Sequence, residues 1–181
     1  MGCPSGAEIS RKYPEKVQNL VLVGYTPVFI LSDPNDTFPA IPAASGVALW
    51  DAVKNSFPDF YKTLVLSWFP EYTPGDPMPE YIQRALEDTE LVGGDIAEGI
   101  SRNVSCVDFR GGVGEIKVRT LFITGADDSA TPPAAARWAF ERWGGEKEII
   151  IYEGLGHAPF VGANAEKFNH DVDTFFKSST T

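Results

Sequence analysis

Residues 120–128 read Thr120-Leu121-Phe122-Ile123-Thr124-Gly125-Ala126-Asp127-Asp128, an apolar run that ends at a glycine and passes directly into two carboxylates. Two further apolar runs, Asn19 to Tyr25 and Glu148 to Tyr152, also end at a glycine or a turn signal. Short runs rich in Val, Ile and Leu are typical of buried parallel strands. Because α/β proteins carry their functional loops at the carboxyl ends of such strands, the residues after each run are the candidates for chemistry.

Two helices are predicted in the last third of the chain. The first has Thr131 as a candidate N-cap, runs from Ala134 to Trp143 and stops at Gly144-Gly145. The second begins near Asn164, and His170 lies off its apolar face. That face is a single stripe formed by Phe168, Val172, Phe175 and Phe176.

Residues 26–114 differ from the rest of the chain in composition and periodicity, with recurrent proline and a helical repeat of apolar residues. Their periodic pieces are Val47–Asn55, Phe60–Trp68, Pro79–Asp88 and Gly94–Val104. The order strand, helical insertion, strand, helix, strand, helix predicts an α/β fold with three parallel strands and flanking helices.

Composition narrows the class of partner. The 181 residues carry a net charge of −10 and 43% apolar residues, which favours a packed globular protein and argues against nucleic acid or a membrane surface as partner. No signal peptide or apolar run of transmembrane length is recognisable, so a cytoplasmic location is expected. Cys3 and Cys106 lack metal-ligand spacing and are expected to be small buried residues. We predict neither a metal nor a cofactor.

Two residues that follow the predicted strands stand in a recognisable pattern. Asp128 lies three residues after Gly125, and His157 closes the segment Gly154-Leu155-Gly156-His157 after the third strand. Ahead of the first strand stands Tyr13-Pro14-Glu15-Lys16-Val17. Together these segments resemble the C-terminal portion of the α/β-hydrolase superfamily, in its cap-bearing serine esterase and lactonase type.

The resemblance implies both a layout and a pair of catalytic roles. Residues 1–25 and 115–181 would form a portion of the α/β-hydrolase core, and residues 26–114 a helical cap or lid. Asp128 would be the acid of the catalytic triad and His157 its base. The chemistry is consistent, since a carboxylate that accepts one ring N–H of a histidine stabilises the imidazolium that forms when the ring takes a proton.

Other interpretations of these residues stay open from sequence alone. Asp128 could instead cap the helix that follows it, and Asp127 is the second candidate for the acid. A single histidine after a glycine is often structural. Adjacent strand ends nevertheless bring Asp128 and His157 into one crevice despite a gap of 29 residues (157 − 128).

The resemblance also predicts that the nucleophile is missing from this chain. It aligns Met1 and Gly2 with the two residues after the family's catalytic serine, so the serine would precede Met1, and Met1 would hold the place of one oxyanion-hole donor. Ser5 is a poor substitute, because a strained nucleophile turn needs small residues two before and two after the serine. The alignment places Ser5 inside the helix behind that turn, and Cys3 fails for the same reason.

We therefore expect a protein related to serine esterases or lactonases that acts on a small hydrophobic ester and is inactive as this chain alone. Whether this chain is itself an enzyme stays open, as does membership of the haloperoxidase-like branch. Alternatives are a non-catalytic module that binds a ligand or partner, with self-association through an exposed edge of the first strand, and an accessory hydrolase of a specialised-metabolite (toxin) pathway. The cap would contribute pocket residues from the set Trp50, Phe57, Phe60, Tyr61, Trp68, Phe69, Tyr72 and Tyr81.

Overall fold

A parallel sheet of three strands lies at the centre of the structure, a computed structural model that describes residues 2–33, 35–105 and 107–178. Its strands are β1 (Asn19–Val23), β2 (Arg119–Gly125) and β3 (Lys147–Tyr152), hydrogen-bonded in that order. The three predicted strands and their parallel arrangement are confirmed.

Helices surround the sheet and fill the long connection between β1 and β2. They are α1 (Gly2–Lys12), α2 (Ala43–Asn55), α3 (Asp59–Leu66), α4 (Glu80–Glu90), α5 (Gly94–Ser105), α6 (Pro133–Arg142) and α7 (Ala165–Lys177). Short 3-10 segments span Pro14–Lys16, Arg110–Glu115 and Gly162–Asn164. Helices α2 to α5 correspond to the four predicted helical pieces. The division into a core portion and a cap stays a prediction.

Both faces of β2 are buried, which explains its continuous apolar run. Leu121 and Ile123 pack with Phe175 of α7 on one face, whereas Phe122 packs with Ala7 of α1 on the other, in a cluster that α6 completes. Leu121 and Phe122 are 0% exposed. Full burial of such a side chain stabilises a fold by about 1.5–3 kcal/mol, so the two faces of β2 anchor the helices on each side.

The apolar stripe of α7 differs from the prediction at one position. Phe168, Val172 and Phe175 face the sheet as expected, but Phe176 is 46% exposed. One step along a helix turns the side chain by about 100°. Phe176 therefore points away from the face that Phe175 buries. The two rings are in edge-on contact, with centroids 5.7 Å apart.

Helix α6 begins without the predicted threonine cap. Its N-cap residue is Pro132, and no side chain caps the helix. The hydroxyl of Thr131 donates instead to Asp128 Oδ2, at 2.8 Å. A buried carboxylate competes for this hydroxyl, so the local cap signal in the sequence does not decide its partner.

Strand β1 forms an edge of the sheet. One side pairs with β2, and among the described residues no strand pairs with its other side. Leu20, Val21 and Val23 are only partly buried. Self-association through this edge stays a prediction. Within the described ranges, no helix combines the length and the hydropathy needed to cross a membrane.

Arg119 ties three elements together at the start of β2. Its guanidinium donates to the carbonyl of Phe175 at 2.8 Å and to the hydroxyl of Ser178 at 2.9 Å, and it lies 3.8 Å from the Phe175 ring centroid. It also forms ion pairs with Glu146 at 2.9 Å and Glu148 at 2.6 Å. Only 13% of the Arg119 side chain is exposed, whereas Glu146 and Glu148 are 70% and 51% exposed, so the hydrogen bond to the Phe175 carbonyl is better shielded from water than the two ion pairs.

Replacing Arg119 with methionine is expected to lower the free energy of unfolding by about 1–2 kcal/mol, because it removes charged hydrogen bonds to a helix end. Arg142→Met is the matched control. Among the described residues, the Arg142 guanidinium hydrogen-bonds to Trp138 and Glu141 of its own helix and stacks on the Trp138 ring, and 49% of its side chain is exposed. Urea unfolding measures both variants, and equal losses would contradict the role assigned to Arg119.

Candidate active site

The structure brings the two predicted site residues into direct contact. Asp128 lies three residues past the end of β2, and His157 lies five residues past the end of β3. The imidazole Nδ1 is 2.9 Å from the carboxylate Oδ2. The Asp128 side chain is fully buried, whereas 28% of the His157 side chain is exposed. This pair therefore joins a shielded carboxylate to a partly accessible base.

Every oxygen of the Asp128 carboxylate has partners. Oδ1 accepts the backbone N–H groups of Ala130, at 2.9 Å, and Thr131, at 2.8 Å. Oδ2 accepts the Thr131 hydroxyl at 2.8 Å and faces His157 Nδ1. A buried carboxylate is tolerated when donors of this kind replace its water, so the loop holds Asp128 as an acceptor pointed at the imidazole.

This arrangement distinguishes between the interpretations left open by the sequence. Asp128 bonds to amides of the loop and does not cap α6. Asp127 is exposed, and its backbone N–H donates to the carbonyl of Leu155 at 3.0 Å. Asp128 is thus the carboxylate that contacts His157, while its role as catalytic acid stays a prediction.

His157 is held from a second side by the chain that follows α3. Its backbone N–H donates to the carbonyl of Trp68 at 3.0 Å. The two rings are also in contact, with centroids 5.3 Å apart. Gly156 makes this approach possible, because a Cβ there would lie 2.2 Å from the Trp68 carbonyl oxygen. The loop after β3 therefore packs closely against the segment that follows α3.

Gly24, the residue directly after β1, lies beside the imidazole. Gly24 has φ +61°, and a Cβ at this position would lie 2.9 Å from His157 Cε1 and 3.0 Å from Thr131 Oγ1. A side chain there would crowd the ring, and the left-handed backbone also favours glycine. The sequence marks Gly24 only as the end of a strand, so its role beside His157 is visible only in the fold.

A cavity of about 320 Å³ opens next to this pair. Among the described residues that line it, there is no Asp, Glu, Lys or Arg. Tyr61 and Trp68 of the predicted pocket aromatics line it, together with Phe29, which the sequence did not suggest. Phe69 is instead buried in a cluster between α3 and α4. The site is mostly apolar, with His157 and a few hydroxyl groups as its polar contacts.

Within the part of the chain that the structure describes, neither Ser5 nor Cys3 hydrogen-bonds to the His157 imidazole. Ser5 lies within α1 and is exposed, as the sequence predicts for a residue behind the nucleophile turn. Cys3 lines the cavity, but its thiol donates to the Val23 carbonyl at 3.2 Å, and burial raises the pKa of this thiol. Met1 and Cys106, for which we also made predictions, lie outside the described residues.

The geometry defines what the pair can do chemically. With Nδ1 directed at a carboxylate, the proton belongs on Nδ1 and the lone pair on Nε2. Across the described ranges, no hydroxyl or thiol hydrogen-bonds to Nε2. The pair can therefore accept a proton from a group brought to Nε2. In the same ranges, no group of three or more His, Cys, Asp or Glu could hold a metal ion.

Known proteins are similar to this chain in sequence or in fold. A strigolactone esterase of Arabidopsis thaliana is 23% identical over 164 residues, which cover 89% of this chain and 58% of that protein. The esterase EaEST of Exiguobacterium antarcticum superposes with a TM-score of 0.74 at 25% identity, over 96% of this chain and 64% of that one. No family model matches the chain.

A bromoperoxidase of Bacillus anthracis has a TM-score of 0.80 at 19% identity, over 94% of this chain and 62% of that one. At this identity the likeness shows a common fold and nothing further. The chain spans less than two thirds of the length of each of these three proteins.

Proposed function

Because the chain belongs to the α/β-hydrolase superfamily, we propose that Asp128 and His157 are the acid and the base of an ester-hydrolysing triad. One observation carries this proposal: the 2.9 Å contact between His157 Nδ1 and the buried Asp128 Oδ2, at adjacent strand ends beside a cavity. Fixed donors and acceptors of this kind are what general acid–base catalysis requires.

The proposed chemistry divides between the two side chains. His157 Nε2 removes the proton of an attacking hydroxyl and later returns it to the leaving alcohol. Asp128 stays ionised and stabilises the imidazolium that exists between these two transfers. Among the described residues, neither the Ser5 hydroxyl nor the Cys3 thiol hydrogen-bonds to the imidazole. In the 181-residue chain the attacking hydroxyl is therefore that of a water molecule, and we expect no acyl-enzyme.

The lining of the cavity supports a neutral, hydrophobic ester or lactone as the substrate. The described part of the cavity wall carries no Lys or Arg, so an anionic substrate would bury its charge there without a cationic partner, which is costly. Two of the similar proteins are named esterases, which is consistent with an ester bond as the target.

Hydrolysis of p-nitrophenyl butyrate, a neutral ester, tests the proposal. We expect slow turnover by the 181-residue chain, without an initial burst, and a decrease of about tenfold in His157→Gln, since a positioned base accelerates such steps by larger factors in complete sites. His170→Gln is the matched control, because His170 is exposed on α7, and it should leave the rate unchanged. A rate that does not depend on His157 would contradict the proposal.

Labelling with a fluorophosphonate examines the nucleophile separately. We expect the chain to remain unlabelled, because neither Ser5 nor Cys3 contacts the imidazole. Specific labelling of Ser5 would overturn the assignment of this residue to the exposed face of α1.

A second candidate is a non-catalytic module that binds a neutral ligand in the same cavity. The lack of a described hydroxyl or thiol at Nε2 favours it. If the ester binds but its hydrolysis does not require His157, this alternative is supported over catalysis.

A further inference from the structure

Thr131 contacts both Asp128 and His157, the proposed acid and base. Its Oγ1 is 2.8 Å from Asp128 Oδ2 and 3.2 Å from His157 Nδ1, while Nδ1 and Oδ2 are 2.9 Å apart. Thr131 is only 7% exposed, so water does not readily substitute for these contacts. The three polar atoms form a closed triangle in which the position of each proton constrains the others.

Two hydrogen-bond arrangements of this triangle are conceivable, and only one of them gives every polar atom a partner. If the hydroxyl of Thr131 donated to an unprotonated Nδ1, the lone pairs of Nδ1 and Asp128 Oδ2 would face each other at 2.9 Å without a proton between them. If the hydroxyl donates to Oδ2, the N–H at Nδ1 also points to Oδ2, and a lone pair of Oγ1 lies on its other side. Only the second arrangement pairs every polar atom, which a buried cluster requires.

Thr131 also fixes the plane of the carboxylate. Its backbone N–H donates to Asp128 Oδ1 at 2.8 Å, and its hydroxyl donates to Oδ2 at 2.8 Å, so one residue holds both oxygens. Gly24, directly after β1, lies close to the hydroxyl as well, since a Cβ on Gly24 would be 3.0 Å from Oγ1. The hydroxyl therefore has a fixed place in which it contacts both members of the pair.

We infer that Thr131 is a positioning residue: by fixing the Asp128 carboxylate against Nδ1, it locks the His157 imidazole in the tautomer with its proton on Nδ1. This inference rests on the proposed function, because the lock leaves the lone pair of Nε2 as the base. Thr131 acts through Asp128 and His157 and needs no contact with a substrate. The sequence suggested a helix cap at this position, a role that the structure gives to Pro132.

Nuclear magnetic resonance of the imidazole nitrogens tests the inference without requiring activity. The chain has two histidines, so His157→Gln assigns the signals, and the exposed His170 is an internal reference. We expect the wild type to show the Nδ1–H tautomer with a slowly exchanging Nδ1 proton. A wild-type ring protonated mainly on Nε2 would overturn the inference before any variant is made.

Thr131→Val removes the hydroxyl and keeps the shape of the side chain, whereas Thr131→Ser keeps the hydroxyl. We expect the Nδ1 proton signal to weaken in Thr131→Val, because a less firmly held carboxylate lets this proton exchange faster with water, and to be restored in Thr131→Ser. The dispersion of the amide spectrum reports folding independently, and Thr131→Ala is a second variant without the hydroxyl. An unchanged Nδ1 signal in a folded Val or Ala variant would contradict the lock.

The two proposals can fail separately. A weakened Nδ1 signal in Thr131→Val, together with ester hydrolysis that does not depend on His157, would leave the lock in place and reject the proposed function. Hydrolysis that depends on His157, with an unchanged Nδ1 signal in Thr131→Val, would support the proposed function and reject the lock.

Discussion

Replacing Asp128 with alanine is expected to lower the free energy of unfolding by about 2–4 kcal/mol, because the change leaves several buried donors without an acceptor. The donors are the backbone N–H groups of Ala130 and Thr131, the Thr131 hydroxyl and the N–H of the His157 ring. The cost of such a substitution arises from the unpaired groups that remain more than from the carboxylate that is removed.

Asp127→Ala is the matched control for this substitution. The two aspartates are neighbours in the same loop, but Asp127 is exposed while the Asp128 side chain is fully buried. Surface substitutions usually change stability by less than about 0.5 kcal/mol. Urea unfolding measures both variants, and equal losses would show that the loop does not depend on the Asp128 carboxylate.

Replacing Gly24 with alanine is expected to displace the His157 ring and to destabilise the protein by about 2–3 kcal/mol. Part of this cost comes from the left-handed backbone at φ +61°, and part from a methyl group 2.9 Å from His157 Cε1. The chemical shifts of the ring report its displacement, and urea unfolding reports the free energy.

Gly154→Ala separates these two contributions. Gly154 has a similar backbone, at φ +71°, but a Cβ there would meet no heavy atom within 4 Å. We expect it to lose only the backbone part, about 1 kcal/mol, and to leave the His157 signals unchanged. If both glycine variants lost the same free energy, the space beside the imidazole would not be limiting.

The sheet and the contact between Asp128 and His157 were predictable because strong local signals and a simple topological rule agree. β2 is apolar along its length since helices cover both of its faces, and Asp128 and His157 follow neighbouring parallel strands. Strand ends at one edge of a parallel sheet meet in space whatever their separation in sequence.

The features that the sequence did not reveal depend on contacts between distant segments. Thr131 before two prolines resembles a helix start, but the buried Asp128 carboxylate takes its hydroxyl. Trp68 contributes a backbone carbonyl to the His157 loop, and Phe29 reaches the cavity from an irregular segment. None of these contacts has a periodic pattern, so only the folded chain brings them together.

A double-mutant cycle between Asp128→Asn and His157→Gln tests the central claim most directly, namely that these two side chains interact. Urea unfolding of the wild type, both single variants and the double variant gives their coupling free energy. We predict a coupling of about 1 kcal/mol or more, whereas the same cycle with Asp127→Asn should give none. Losses from Asp128→Asn and His157→Gln that add to within about 0.3–0.5 kcal/mol would contradict the contact on which the proposed function depends.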